Sequence, residues 1–224
     1  MRNSTKSVNT KGFTLAEVLI TLGIIGVVAV VTLPTLIKNY QKTATANRLK
    51  ETYTMLYQAI RMSELDNGLT TEWTYPENNA DGYNEWFNKY LHPYIKHTSI
   101  KNADGILYFM LPNGVILRFW NNASTQQVHA YVYLNGIENP IMGKNYFVFY
   151  IGYNNATSYR LFNSNKEIRP YDYAPWVKGY KAPSDIRAKL INHPQHGCNN
   201  NANKNLCTAL IMYDGWKISP DYPW

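Results

Sequence analysis

Glu17 is the only carboxylate in the first fifty residues of the chain, and it stands at the head of an apolar run. From Val18 to Ile37 there are twenty uncharged residues rich in Val, Ile and Leu. At about 1.5 Å per helical residue they cover about 30 Å, the depth of a bilayer's hydrocarbon core. A charge carried into that core is expensive. Glu17 therefore either pairs with a cation or reaches back to the headgroups.

Other residues with chemical potential gather near the C-terminus, in "HGCNNNANKNLCTALIMYDGWK". Cys198 and Cys207 lie nine apart, a spacing that in an exported domain suits a disulfide closing a short loop. His193 and His196 stand close enough in sequence to join the two thiols as zinc ligands, so a metal and free thiols stay open as alternatives. The spacing matches no strong zinc pattern, and the bridge is the favoured reading. Glu72, Glu77, Asp81 and Glu85 cluster loosely in a stretch of Asn, Gly and Tyr that reads as a solvated loop, with a glycosidase-like pair left open. His92, His97 and His129 stand alone. The chain contains no Gly-x-Ser-x-Gly, no His-Glu-x-x-His and no phosphate or dinucleotide glycine loop, so no enzyme and no cofactor is expected.

The elements that position Glu17 follow from the N-terminal segment. "MRNSTKSVNTKG" is polar and basic and runs directly into the apolar stretch. That stretch is longer than a secretory h-region and ends in "LPTLIKNYQK" without an Ala-x-Ala site, so cleavage after it is not expected. The positive flank places residues 1–12 in the cytoplasm and the C-terminal part outside. Three positive charges, Arg2, Lys6 and Lys11, belong to this leader, and without it the formal charge falls from +7 to +4. The remaining Lys and Arg are scattered, and nucleic acid is not expected as a partner. Aromatic residues make up 14% of the chain and charged residues only 17%, which fits one globular head after the apolar run and excludes a disordered tail.

The residues "KGFTLAEVLITLGIIGVVAVVTLPTLI" closely resemble the N-terminal signature of type IV pilins and of type II secretion pseudopilins. The match runs through Lys11, Gly12, Phe13, Thr14, Leu15 and Glu17, with Pro34 at the place of the family's helix-kinking proline. The resemblance implies that a prepilin peptidase cuts between Gly12 and Phe13, and that the new N-terminus of Phe13 is methylated. It also implies that Glu17 pairs with the terminal amine of a neighbouring subunit and so sets axial register. The partners implied are that peptidase, an inner-membrane assembly platform, the lipid bilayer, copies of the chain and other pilin-like subunits. The expected organisation is a cleaved leader over 1–12, a transmembrane and assembly helix over 13–37, and a soluble head over 38–224 in a single-pass protein of the inner membrane.

The head reads as α+β. Leu49, Tyr53, Leu56 and Ile60 continue a helical period, so one long helix is predicted from about 14 to about 65, stopped by Asn67-Gly68. A second short helix is predicted in "DGYNEWFNKYLHPYIK", where Trp86, Tyr90 and Tyr94 repeat every four residues. "GILYFMLPNGVILRFW" predicts a hairpin around Pro112-Asn113-Gly114. Further strands are predicted at Val128 to Leu134, Tyr146 to Ile151 and Thr157 to Phe162. The expectation is an antiparallel sheet packed on the long helix, a pilin-like fold.

Asn135, Gly136, Pro140, Gly143, Phe147 and Phe149 are similar to a pseudopilin pattern in the head. The chain departs from it with Tyr133 and Asn145 where acidic residues are common, and Asp172, Asp185, Asp214 and Asp221 are spread out, so no metal is predicted. Trp216, Tyr222 and Trp224, with Pro220 and Pro223, form an aromatic tail. It is read as packing back on the sheet, with stacking on sugars as the alternative. The function this supports is a structural subunit of a pilus or pseudopilus. A minor tip pilin acting as a binding module is the second reading, and a membrane-anchored enzyme the third.

Overall fold

A helix of 53 residues, α1 (Leu15–Asn67), opens the computed structural model of the chain. The structure describes residues 12, 14–103, 106–122, 127–152, 167–170 and 183–224. Residues 1–11, Phe13, Asp172 and the strand predicted at Thr157 to Phe162 lie outside that set. The chain divides into two units, Met1–Gln41 and Lys42–Trp224.

In the first unit nearly every described side chain of α1 is exposed, including Val30 at 74% and Ile25 at 64%. Aliphatic residues at this exposure are stable only against lipid or other apolar helices. The helix runs through Pro34 without interruption, so the chain does not melt there.

In the second unit α1 is amphipathic. Thr45, Ala46, Leu49, Thr52, Leu56, Ala59, Ile60 and Ser63 are buried at steps of one, three and four, the stripe a helix needs to lie on a core. Gly68, at φ +78°, follows the helix end, where only a residue tolerant of the left-handed region fits cheaply. The helix therefore ends within two residues of its predicted stop.

After a short 3₁₀ turn at Thr70–Glu72 comes α2 (Ala80–Tyr90). Asn79 caps it, its Oδ1 accepting from the Gly82 N–H at 2.7 Å. The predicted repeat Trp86, Tyr90, Tyr94 does not stay on one α-helix. Pro93 ends it, and His92–Tyr94 forms a separate 3₁₀ turn. Tyr83, Trp86, Phe87 and Tyr90 bury one face of α2, the Phe87 ring lying against Phe109 with centroids 3.9 Å apart and planes tilted by 30°.

Among the described residues six strands form one antiparallel sheet in chain order: β1 (Ser99–Ala103), β2 (Ile106–Met110), β3 (Ile116–Asn122), β4 (Gln127–Tyr133), β5 (Tyr146–Ile151) and β6 (Ile168–Pro170). The predicted hairpin joins β2 to β3, with Gly114 at φ +77°. Register puts Phe109, Leu117, Val132 and Phe147 in one cross-strand row and Phe119, Ala130 and Phe149 in the next. All are buried, and they share one core with Leu49, Leu56 and Ile60 of α1. Two further helices follow, α3 (Pro183–Asn192) and α4 (Cys207–Tyr213). The fold is α+β, a long helix with an antiparallel sheet, as in pilins.

Candidate functional site

The first turn of α1 is closed by a reciprocal pair. The Thr14 N–H and its Oγ1–H each donate to Glu17 Oε2 at 2.8 Å, and the Glu17 N–H reaches Thr14 Oγ1 at 3.3 Å. This is a capping box: the orphan donors at a helix start are satisfied by residues N-cap and N3 of the same turn. Glu17 Oε1 has no partner among the described residues. The carboxylate thus has one oxygen that fixes the helix start and one free to accept a second donor. In the sequence Thr14 stands out only as part of the signature and not as a cap, although Thr-x-x-Glu before an apolar run is the pattern that marks one. Gly12 lies just before it in exposed, non-helical chain. An 18-residue window of α1 has mean hydropathy 2.4, and the helix is long and apolar enough to cross a membrane.

In the head, Arg48 of α1 holds two turns at once. Its guanidinium donates to Asn135 Oδ1 at 2.9 Å and to the Asn113 carbonyl at 3.1 Å, tying the β4–β5 connection and the β2–β3 turn to the helix. In the β4–β5 connection, Asn145 accepts the Ile141 N–H at 2.6 Å and donates to the Asn139 carbonyl at 3.4 Å. An amide can both donate and accept, which a carboxylate cannot, so Asn145 organises this loop by its own side chain.

Cys198 and Cys207 are joined in a disulfide, which overturns the zinc and free-thiol alternatives. His193 and His196 instead stack on each other with centroids 5.6 Å apart, His193 Nδ1 accepting from the Gln195 and His196 N–H groups. Burial holds both imidazoles below their usual range. Among the described residues no group of three His, Cys, Asp or Glu side chains is arranged to hold a metal. Nor does any hydrogen bond there join Glu72, Glu77, Asp81 and Glu85 to one another. Glu77 accepts from Asn79, and Asp81 sits in the first turn of α2.

The disulfide lies directly under Gly143. A Cβ at that position would sit 2.5 Å from Cys207 Sγ and 3.0 Å from the Tyr222 hydroxyl, and φ is +83°. Tyr222 is 3% exposed, and its hydroxyl donates to the Gly143 carbonyl at 2.5 Å. Arg187 of α3 grips the tail with two edges of its guanidinium, donating to Asp214 at 2.7 Å and to Asp221 at 2.6 Å. That contact holds the Asp221 carboxyl below its ordinary range. Lys144 Nζ lies 5.7 Å from the centre of the Trp224 ring. The aromatic tail is thus docked on the head through the β4–β5 connection, α3 and α1 rather than on the strands themselves, Trp216 packing on Tyr53 of α1 with centroids 5.1 Å apart.

His129 stands on the sheet face opposite the core. It is flanked by Trp120 at 4.9 Å and Tyr150 at 4.3 Å, and burial pushes its imidazole down to about 4. It is a neutral ring in an aromatic cluster.

Residues 8–33 match the prokaryotic N-terminal methylation motif, the prepilin-type signature of type IV pilins and pseudopilins. Residues 35–224 match a family of unknown function, DUF6613. No curated protein and no solved structure matches the chain. The capped, exposed apolar helix thus carries the prepilin-type signature found in type IV pilins and pseudopilins, a helix-and-sheet head continues it, and through residues 35–224 the chain belongs to the DUF6613 family.

Proposed function

We propose that the chain is a structural subunit of a type IV pilus or pseudopilus. In this reading the prepilin peptidase cuts between Gly12 and Phe13, and the new amine of Phe13 is methylated. Residues 13–37 then hold the subunit in the inner membrane, with the head outside the cytoplasm, until an assembly platform extracts it into a filament with copies of itself and other pilin-like subunits. The observation that carries this is the methylation signature on the apolar first part of α1, residues 15–37, whose side chains are almost all exposed.

The capping box gives Glu17 a defined part in it. After the cut, Phe13 directly precedes the N-cap, so the terminal cation stands beside the first turn, where the helix dipole favours a carboxylate. Thr14 holds Oε2, and Oε1 remains for the amine of an adjoining subunit. Two opposite charges brought together in a low dielectric offset each other's desolvation, and the pair forms only at one axial offset of two helices. Head-to-tail repeats of a contact that does not close give a helical filament. Pro34, in place within α1, removes one backbone hydrogen bond and is a point at which the helix can bend on extraction.

The test is the mass and N-terminal sequence of the protein from its native membranes, with and without the peptidase. A chain beginning at methylated Phe13 only when the peptidase is present supports the reading. Retention of residues 1–12 in both strains refutes it.

A further inference from the structure

We infer that the head carries a binding site for an acidic sugar, in the cleft between α1 and the C-terminal tail at Trp216. The cleft has a volume of about 520 Å³, within the size range of small-ligand sites, and is lined by Thr43, Asn47 and Lys50 of α1 and by Gly215, Trp216 and Lys217 of the tail.

The first ground is strain. α4 ends in a Schellman turn, with the Trp216 N–H donating to the Ile211 carbonyl at 2.8 Å and the Gly215 N–H to Met212 at 3.1 Å. That turn needs one left-handed residue, and Gly215 at φ +71° supplies it. Trp216 nevertheless also adopts a left-handed backbone, φ +64°, a conformation that a bulky residue avoids. The backbone twist turns the indole onto Tyr53, which is itself stacked on Tyr57 one helical turn further along α1, the planes 8° apart. The strain thus holds a broad ring as one wall of the cleft, and the indole N–H has no acceptor among the described residues.

The second ground is charge. Lys50 and Lys217 are exposed, and neither has a carboxylate partner among the described residues. No carboxylate lines the cleft. Asp214, beside it in sequence, is already held by Arg187 and by the Ser219 hydroxyl. A fixed aromatic wall, two ammonium groups with no carboxylate partner among the described residues, and the Asn47 amide suit a flat, hydroxylated ring bearing a negative charge. The pyranose face lies on the indole, and its carboxylate meets the lysines. A lipid headgroup makes no use of the ring. A nucleic acid needs a longer run of cations than two, and Glu51 lies next to Lys50.

This site stands apart from polymerisation, and it is tested on the full-length chain in nonionic detergent micelles by calorimetric titration. The probes are digalacturonate and 3′-sialyllactose, with lactose as the neutral sugar and glycerol 3-phosphate as the headgroup of an anionic lipid. Saturable binding of at least one acidic sugar is expected, with lactose weaker by about tenfold or more and glycerol 3-phosphate not bound. Trp216→Gly, which suits the left-handed backbone and keeps the fold, is expected to weaken binding about tenfold, the size of one aromatic contact. The Lys50→Gln, Lys217→Gln double variant, altered only at exposed side chains, is expected to bind acidic and neutral sugars alike. Near-UV circular dichroism confirms the fold of each variant. Binding of neither acidic sugar, binding of glycerol 3-phosphate in their place, or acidic-sugar binding unchanged in both variants overturns the assignment.

Discussion

Replacing Gly143 by alanine tests how the tail, the disulfide and the β4–β5 connection depend on one another. Two costs arise. Alanine at φ +83° carries the left-handed penalty of about 1–2 kcal/mol. Its Cβ also meets Cys207 Sγ at 2.5 Å, an atom that cannot swing aside because it is bonded to Cys198. Overpacking of this kind costs about 1–3 kcal/mol, so the total is about 2–5 kcal/mol. Gly136 is the matched control: it too has φ +83°, but a Cβ there meets nothing within 4 Å, and Gly136→Ala therefore costs only about 1–2 kcal/mol. The two variants are compared by thermal unfolding of the full chain in detergent micelles, followed by near-UV circular dichroism. At about 2–4 °C per kcal/mol for a domain of this size, Gly143→Ala unfolds on the order of 5 °C below Gly136→Ala. In a Cys198→Ala, Cys207→Ala background the sulfur is gone, and the gap between the two glycine variants shrinks by half or more, the Tyr222 hydroxyl at 3.0 Å accounting for the remainder. If Gly143→Ala costs no more than Gly136→Ala, or if the gap is the same without the disulfide, the steric reasoning fails.

Removing the bridge alone with Cys198→Ser and Cys207→Ser is expected to cost roughly 2–3 kcal/mol, read as a lower urea midpoint. Arg187→Met leaves the nearly buried Asp214 without its cation and is expected to cost about 1–3 kcal/mol, with little of it from Asp221, whose side chain is 55% exposed. Because the Asp221 carboxyl is depressed by Arg187, its contribution is present above the ordinary carboxylate range and lost as the pH falls through it, and Arg187→Met abolishes that part of the acid sensitivity. His129 has the depressed pKa of a buried neutral ring, about 4 against 6.5 unfolded, so below pH 6.5 the unfolded chain takes up a proton that the folded one refuses. His129→Gln is expected to lose less melting temperature than the parent between pH 7 and pH 5; an equal loss would show that the ring is not held neutral. Glu17→Leu is expected to leave membrane insertion intact while filaments fail to appear by electron microscopy.

Much of this architecture was legible in the sequence where one residue type has one job. The four-three-four spacing from Leu49 to Ile60 and the glycine at 68 marked the amphipathic half of α1 and its end, and Asn113-Gly114 marked the central hairpin. The elements that were missed carry little local signal. β6 has three residues and ends in proline, and β1 is "SIKNA", so their pairing is supplied by neighbours. α4 is buried from Cys207 to Ile211 and shows no polar face, so helical periodicity cannot reveal it. At the N-terminus Glu17 stood out because its charge is conspicuous in an apolar run, whereas Thr14 did not, since a threonine there looks unremarkable until its hydroxyl is seen to close the cap. The left-handed backbone of Trp216 had no sequence signal, as the residue types favoured there are glycine and asparagine.

The strand order β1 to β6 follows the chain without a crossover. A chain delivered from its N-terminus forward can therefore zip this sheet as it appears, each strand meeting a partner already in place, and the closure entropy of long loops is avoided. Other contacts also reach back to α1, as from Asn135 to Arg48 and from Glu167 to Arg61, but the last segment spans the most chain among the described hydrogen bonds: Tyr222 returns to Gly143, and the Lys42 ammonium approaches the Ser219 carbonyl at 3.5 Å, across 177 positions of chain. The contacts of Ser219 and Tyr222 thus join the head only after the sheet and α1 are in place to receive them.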